Sequence, residues 1–80
     1  MEKDIYFLMY QEVWKFHKKY FENVPDPKDD GAWEQIINEA NAICEKYKRL
    51  GYKNFIVGLL STEIAELEKL SRLQKQQKVG

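Results

Sequence analysis

From Trp33 to Leu50 the chain reads WEQIINEANAICEKYKRL, and this stretch restricts the fold more than any other. At about 100° per residue, Trp33, Ile36, Ile37, Ala40, Ile43, Cys44, Tyr47 and Leu50 fall within an arc of roughly 140°. Nearly everything else in the stretch is polar. A helix with a single apolar stripe must bury that stripe, and the segments on either side can supply the cover.

The preceding segment predicts a first helix over 4–23, with Asp4 as its N-cap. Its apolar residues (Ile5, Tyr6, Phe7, Met9, Tyr10, Val13, Trp14, Phe16, His17, Tyr20 and Phe21) cover an arc of about 200°. An arc that wide must touch two neighbours or leave aromatic surface exposed. VPDPKDDG, residues 24–31, then breaks the helix, because two prolines two apart cannot sit inside one. Asp29 or Asp30 caps a second helix over 31–50. Lys46, Lys48 and Arg49 oppose the dipole at its far end, and Gly51 suits the position just beyond. A third helix begins near Tyr52–Asn54 and runs to about 75. Gly58 and Ser61-Thr62 do not break it, since neither hydroxyl is followed by an acid at capping-box spacing. Gly58, Ser61, Thr62 and Ala65 form a small-residue face. Short connections favour antiparallel neighbours. The expected architecture is an all-α, compact three-helix bundle, up-down-up, with helices at about 4–23, 31–50 and 53–75. One domain spans 1–76, and 77–80 is a fraying tail. No internal repeat is visible.

Composition narrows the function classes. The 80 residues carry 13 basic and 13 acidic side chains, a formal charge of zero. That argues against general electrostatic capture of nucleic acid. One cysteine permits no internal disulfide and fits a reducing cytoplasm. Residues 1–14 lack a signal-peptide pattern. FIVGLL, among the longest apolar runs, is six residues, against the roughly 18 that a membrane span needs.

Several residues invite chemistry, and each has a plainer reading. Glu63 falls inside the apolar arc of the third helix, where a carboxylate is costly unless paired. It is either an acid with a raised pKa or a carboxylate bonded to a tyrosine hydroxyl, His17 or a lysine. His17 is the only histidine and reads as packed on the first helix. Cys44, mid-stripe, reads as a buried small hydrophobe. DPKDDG resembles the start of a calcium loop, but Lys28 and Ile37 occupy two required ligand positions. No metal or cofactor is therefore expected. Phosphate loops, nucleophile elbows and paired-cysteine spacings are absent, and an enzyme is not expected.

Two surfaces remain. Phe7, Tyr10, Trp14 and Phe21 border the first helix's arc and would form a partner-binding aromatic patch if the other helices cover only the opposite border. Lys46, Lys48, Arg49 and Lys53, interleaved with Tyr47 and Tyr52, mix charge and rings as nucleic-acid surfaces do.

The layout Tyr10, Trp14, Phe16, Lys18-Lys19-Tyr20, then Trp33-Glu34, Glu39-Ala40 and Lys46-Tyr47, then Phe55, Leu59-Leu60 and Glu66-Leu67-Glu68 resembles small all-helical proteins of Firmicutes prophages and integrative elements. The resemblance spans most of the chain, but Gly31-Ala32 stands between the acidic linker and Trp33 as a departure. It implies a bacterial, cytoplasmic accessory or host-modulating protein with no catalytic residues. The expected function is a non-enzymatic module that binds another protein or a second copy of itself. A small nucleic-acid-binding protein using the basic turn is the alternative.

Overall fold

A computed structural model describes the backbone of residues 4–79 and the side chains of residues 4–74. It contains α1 (Ile5–Phe21), α2 (Asp30–Lys48) and α3 (Lys53–Val79), and no strand among the described residues. The expected three-helix bundle is observed. No helix among the described residues is long and apolar enough to cross a membrane.

Local chemistry sets the boundaries. The Asp4 carboxylate accepts from the Tyr6 N–H at 2.9 Å and opens α1. α1 closes at Phe21, two residues short of expectation. Pro25 has no N–H and disfavours helical backbone at Val24, so the chain turns away early. Asp29 rather than Asp30 caps α2, accepting from the Ala32 N–H at 3.1 Å. Asp26 organises the linker. Its carboxylate accepts from the Lys28 N–H, and its carbonyl accepts from the Asp29 N–H and the Trp33 indole. The linker acids therefore serve as caps and turns.

After α2, Tyr52 N–H donates to the Tyr47 carbonyl and Gly51 N–H to the Lys48 carbonyl, the two bonds of a Schellman motif. Gly51 has φ +92°, and nothing lies within 4 Å of where its Cβ would stand. An alanine there meets no clash but still bears the backbone cost of the left-handed region. Gly51→Ala is expected to lower stability by about 1–2 kcal/mol in chemical denaturation. α3 runs past its expected end near 75 to Val79, because Gln and Lys are good helix formers and no stop signal precedes Gly80. Of the tail expected to fray over 77–80, the backbone of 77–79 continues α3, and residue 80 lies outside the described residues.

The core is one stripe from each helix: Met9, Val13, Phe16 and Tyr20; Ile36, Ala40 and Tyr47; Ile56, Leu60 and Leu67. Ile43, partly buried, completes the second set. Two members of the expected α2 stripe do not belong to it. Ile37 lies at the arc's edge and stays 46% exposed, and Leu50 falls beyond the helix end at 57%. Ser71, buried on α3, donates to the Pro25 carbonyl and ties the far end of α3 to the linker.

The inward residues of α1 and α2 correspond at a constant offset of 27 positions: 9 to 36, 13 to 40, 16 to 43, 20 to 47. The polar residues beside them obey the same offset. On α1, Lys19 and Tyr20 both donate to Glu39 of α2, at 2.7 and 3.0 Å. On α2, Lys46 stands 3.2 Å from a buried Glu12 oxygen of α1, off the line of a hydrogen bond, and Tyr47 lies beside the same carboxylate. Each helix therefore carries Glu, then Lys and Tyr seven and eight residues later (Glu12, Lys19, Tyr20; Glu39, Lys46, Tyr47). In an antiparallel pair the two sets grip each other reciprocally. Against the expectation of no repeat, α1 and α2 share one spacing pattern. Residue identity hides it because Met9, Val13 and Phe16 answer to Ile36, Ala40 and Ile43.

Candidate functional site

α2 and α3 leave part of the α1 arc of about 200° uncovered. α2 and α3 take the Met9, Val13, Phe16 and Tyr20 side of α1, and the aromatic border faces out. Phe7 is 51% exposed, Tyr10 54% and Trp14 58%. Phe21, expected with them, is only partly exposed. It packs against the core and stacks on His17 with ring centres 3.9 Å apart. Its position next to the linker, where the chain folds back, draws it inward.

Tyr6 joins the exposed rings instead, and the strip extends onto α3. Tyr6 meets Tyr52 and Phe55 edge-on at 5.5 and 5.1 Å, and Tyr10 meets Phe55 edge-on at 5.8 Å. Farther along, Trp14 stacks on His17 at 5.3 Å. These contacts hold each ring on one side and leave much of the rest to solvent. Tyr6 was readable as a member of the wide arc. Its place at the rim was not, because a helical projection does not say where the neighbouring helices sit.

His17 and Glu63 explain each other. The His17 Nδ1–H donates to Glu63 Oε1 at 2.8 Å across the α1–α3 seam. Of the two readings of Glu63, the structure shows the bonded carboxylate with His17 as partner. Tyr10, Val13, Trp14, His17 and Glu63 line an open groove on this seam. The lining holds a carboxylate and an imidazole but no serine, cysteine or lysine that a base could activate.

A second groove, on the α1–α2 seam, is lined by Glu12, Lys15, Phe16, Lys19, Glu39 and Ile43, with no α3 residue. Of its charges, Glu12, Lys19 and Glu39 belong to the reciprocal grips. Burial first, then the Glu12 carboxylate, pushes the Tyr47 hydroxyl up to about 12. Burial first, then Glu39, raises Tyr20. The Glu39 hydrogen bond raises Lys19. Cys44 is partly buried and free, and burial followed by the Glu45 charge raises its thiol. That is the opposite of what a reactive thiolate needs.

The basic turn is partly neutralised. Lys46 faces Glu12, and Lys48 stands 3.7 Å from Glu45. Arg49 and Lys53 are exposed, with no carboxylate in ion-pair range among the described residues. In the linker the acids turn onto the backbone, and no group of three metal-ligating side chains converges among the described residues. Comparison with protein-family models, with curated proteins and with solved structures finds no match to this chain.

Proposed function

We propose that this bundle is a non-enzymatic protein-interaction module whose contact surface is the strip formed by Tyr6, Phe7, Tyr10 and Trp14. One observation carries the reading: large rings are held about half exposed on a helix whose other face is fully packed. Aromatic side chains bury about 150–250 Å² each, so four half-exposed rings offer on the order of 400 Å². That lies within the size range of functional patches on monomers and is roughly half of one partner's share in a standard interface. The strip can serve as the hot centre of a contact, completed by its polar flanks. The resemblance to mobile-element proteins supports an accessory or host-modulating setting in a bacterial cytoplasm.

The test is affinity capture from the native host with wild type and with a Trp14→Ala/Tyr10→Ala double variant. Proteins held by wild type are expected to be lost from the double variant while its circular dichroism stays unchanged. Capture of the same set by both would sink the reading. Light scattering on wild type decides whether the partner is a second copy. The nucleic-acid alternative has less support, since two of its four cations already face carboxylates. In a low-salt gel shift no retardation is expected. Retardation abolished by Arg49→Ala/Lys53→Ala would favour the alternative instead.

A further inference from the structure

We infer that the groove on the α1–α3 seam receives a basic side chain, an arginine above all, from the protein partner. This inference rests on the reading of the aromatic strip as a protein-binding surface and names what that surface recognises.

The two seams of α1 treat their carboxylates differently. Glu12 and Glu39, on the α1–α2 seam, each face a lysine and a tyrosine of the opposite helix. On the surface, Glu45 and Glu66 stand beside Lys48 and Lys69. Glu63 differs. Its one partner among the described residues is His17, which supplies a hydrogen bond but brings charge only when protonated. The Glu63 side chain is 20% exposed, at the edge of a groove otherwise lined by Val13 and the rings of Tyr10, Trp14 and His17. A negative charge without a permanent counter-charge, in partly desolvated surroundings, attracts a cation more strongly than the same charge in open water.

The walls suit the same guest. Tyr10 and Trp14 line the groove with Glu63 and are about half exposed, and cations are drawn to aromatic faces. Arginine fits better than lysine, because its planar guanidinium stacks on rings while its N–H groups reach a carboxylate. His17, stacked between Trp14 and Phe21 and bonded to Glu63, fixes both the indole and the carboxylate before any guest arrives. Little ordering remains to be done on binding.

The probe is N-acetyl-Gly-Arg-Gly-amide, with its citrulline counterpart as the uncharged twin, titrated into the whole protein. Binding is followed by NMR at the Trp14 indole N–H. The Trp33 indole, which donates to the Asp26 carbonyl, is the internal control. A saturable shift confined to Trp14 is expected, with the citrulline peptide weaker by at least about fivefold. Glu63→Gln, which keeps an oxygen for His17, is expected to bring the arginine peptide down to the citrulline level. Equal binding of the two peptides, binding indifferent to Glu63→Gln, or no saturable shift at Trp14 overturns the inference. Each of these leaves the capture experiment to decide separately. If the partner is still lost with Trp14→Ala/Tyr10→Ala, the protein-binding reading stands without a basic anchor. If it is retained, the reading itself fails.

Discussion

Phe16→Ala is expected to destabilise the protein by about 3–5 kcal/mol, whereas Trp14→Ala, two residues away, changes stability by less than about 1 kcal/mol. Phe16 is 1% exposed and meets Tyr20 edge-on at 5.0 Å, while Trp14 is 58% exposed. Truncating the first removes buried area and leaves a cavity among Met9, Val13 and the α2 stripe. Truncating the second removes a ring that water already wets and whose described contact is the stack on His17. Typical stability per residue gives a chain of this length roughly 4–12 kcal/mol in total. Phe16→Ala therefore consumes a large share of it, and near the lower end of that range the variant is substantially unfolded. Urea denaturation of both variants checks the pair. Similar losses for the two would mean that α1 is rotated from the orientation described, and the aromatic strip would go with it.

The second large effect is alkaline. The Tyr47 hydroxyl is raised from 10.0 to about 12, first by burial and then by Glu12. The folded chain thus holds this proton more tightly than the unfolded chain does. The stabilisation is complete below pH 10 and is lost as the pH climbs from about 10 toward about 12. Two pKa units correspond to roughly 2–3 kcal/mol. Urea midpoints measured between pH 8 and pH 11.5 are expected to fall over that window. Tyr47→Phe, less stable at neutral pH through the lost contact with Glu12, is expected to show a shallower fall. Some slope remains, because Tyr20 and Lys19 are raised as well and act in the same direction. A profile for Tyr47→Phe as steep as wild type would place the titrating group elsewhere.

Much of the fold could be read from local chemistry. Asp4, Asp29 and Gly51 act where capping rules put them, and Pro25 stops α1 within two residues of the expected end. Helical periodicity found the stripes. What it could not do was divide an arc among neighbours. Phe21 and Trp14 lie on the same side of α1, yet one folds inward beside the linker and the other stays out. Ile37 sits on the same arc as Ile36, yet only Ile36 meets the core. These outcomes depend on where a second and third helix lie. The partners of Glu12 and Glu39 were equally hidden, since pairing residues 34 or 20 apart requires the register between two helices. The spacing Glu, Lys, Tyr was present in both helices all along. It becomes a signal only once the two are set antiparallel.

That reciprocal grip also bears on handedness. A helical hairpin offers two broad sides, and a third helix laid on one or the other gives bundles of opposite hand. Short loops restrict the direction of the third helix but not the side it chooses. Here the shared spacing puts the carboxylates and lysines of both helices on one side, where their groove contains no α3 residue. His17 and Cys44, one offset apart, lie on the other side, and there α3 supplies Glu63. The doubled pattern therefore makes one side of the hairpin polar and leaves the other to be covered, and so it selects which of two mirror-related topologies the chain adopts.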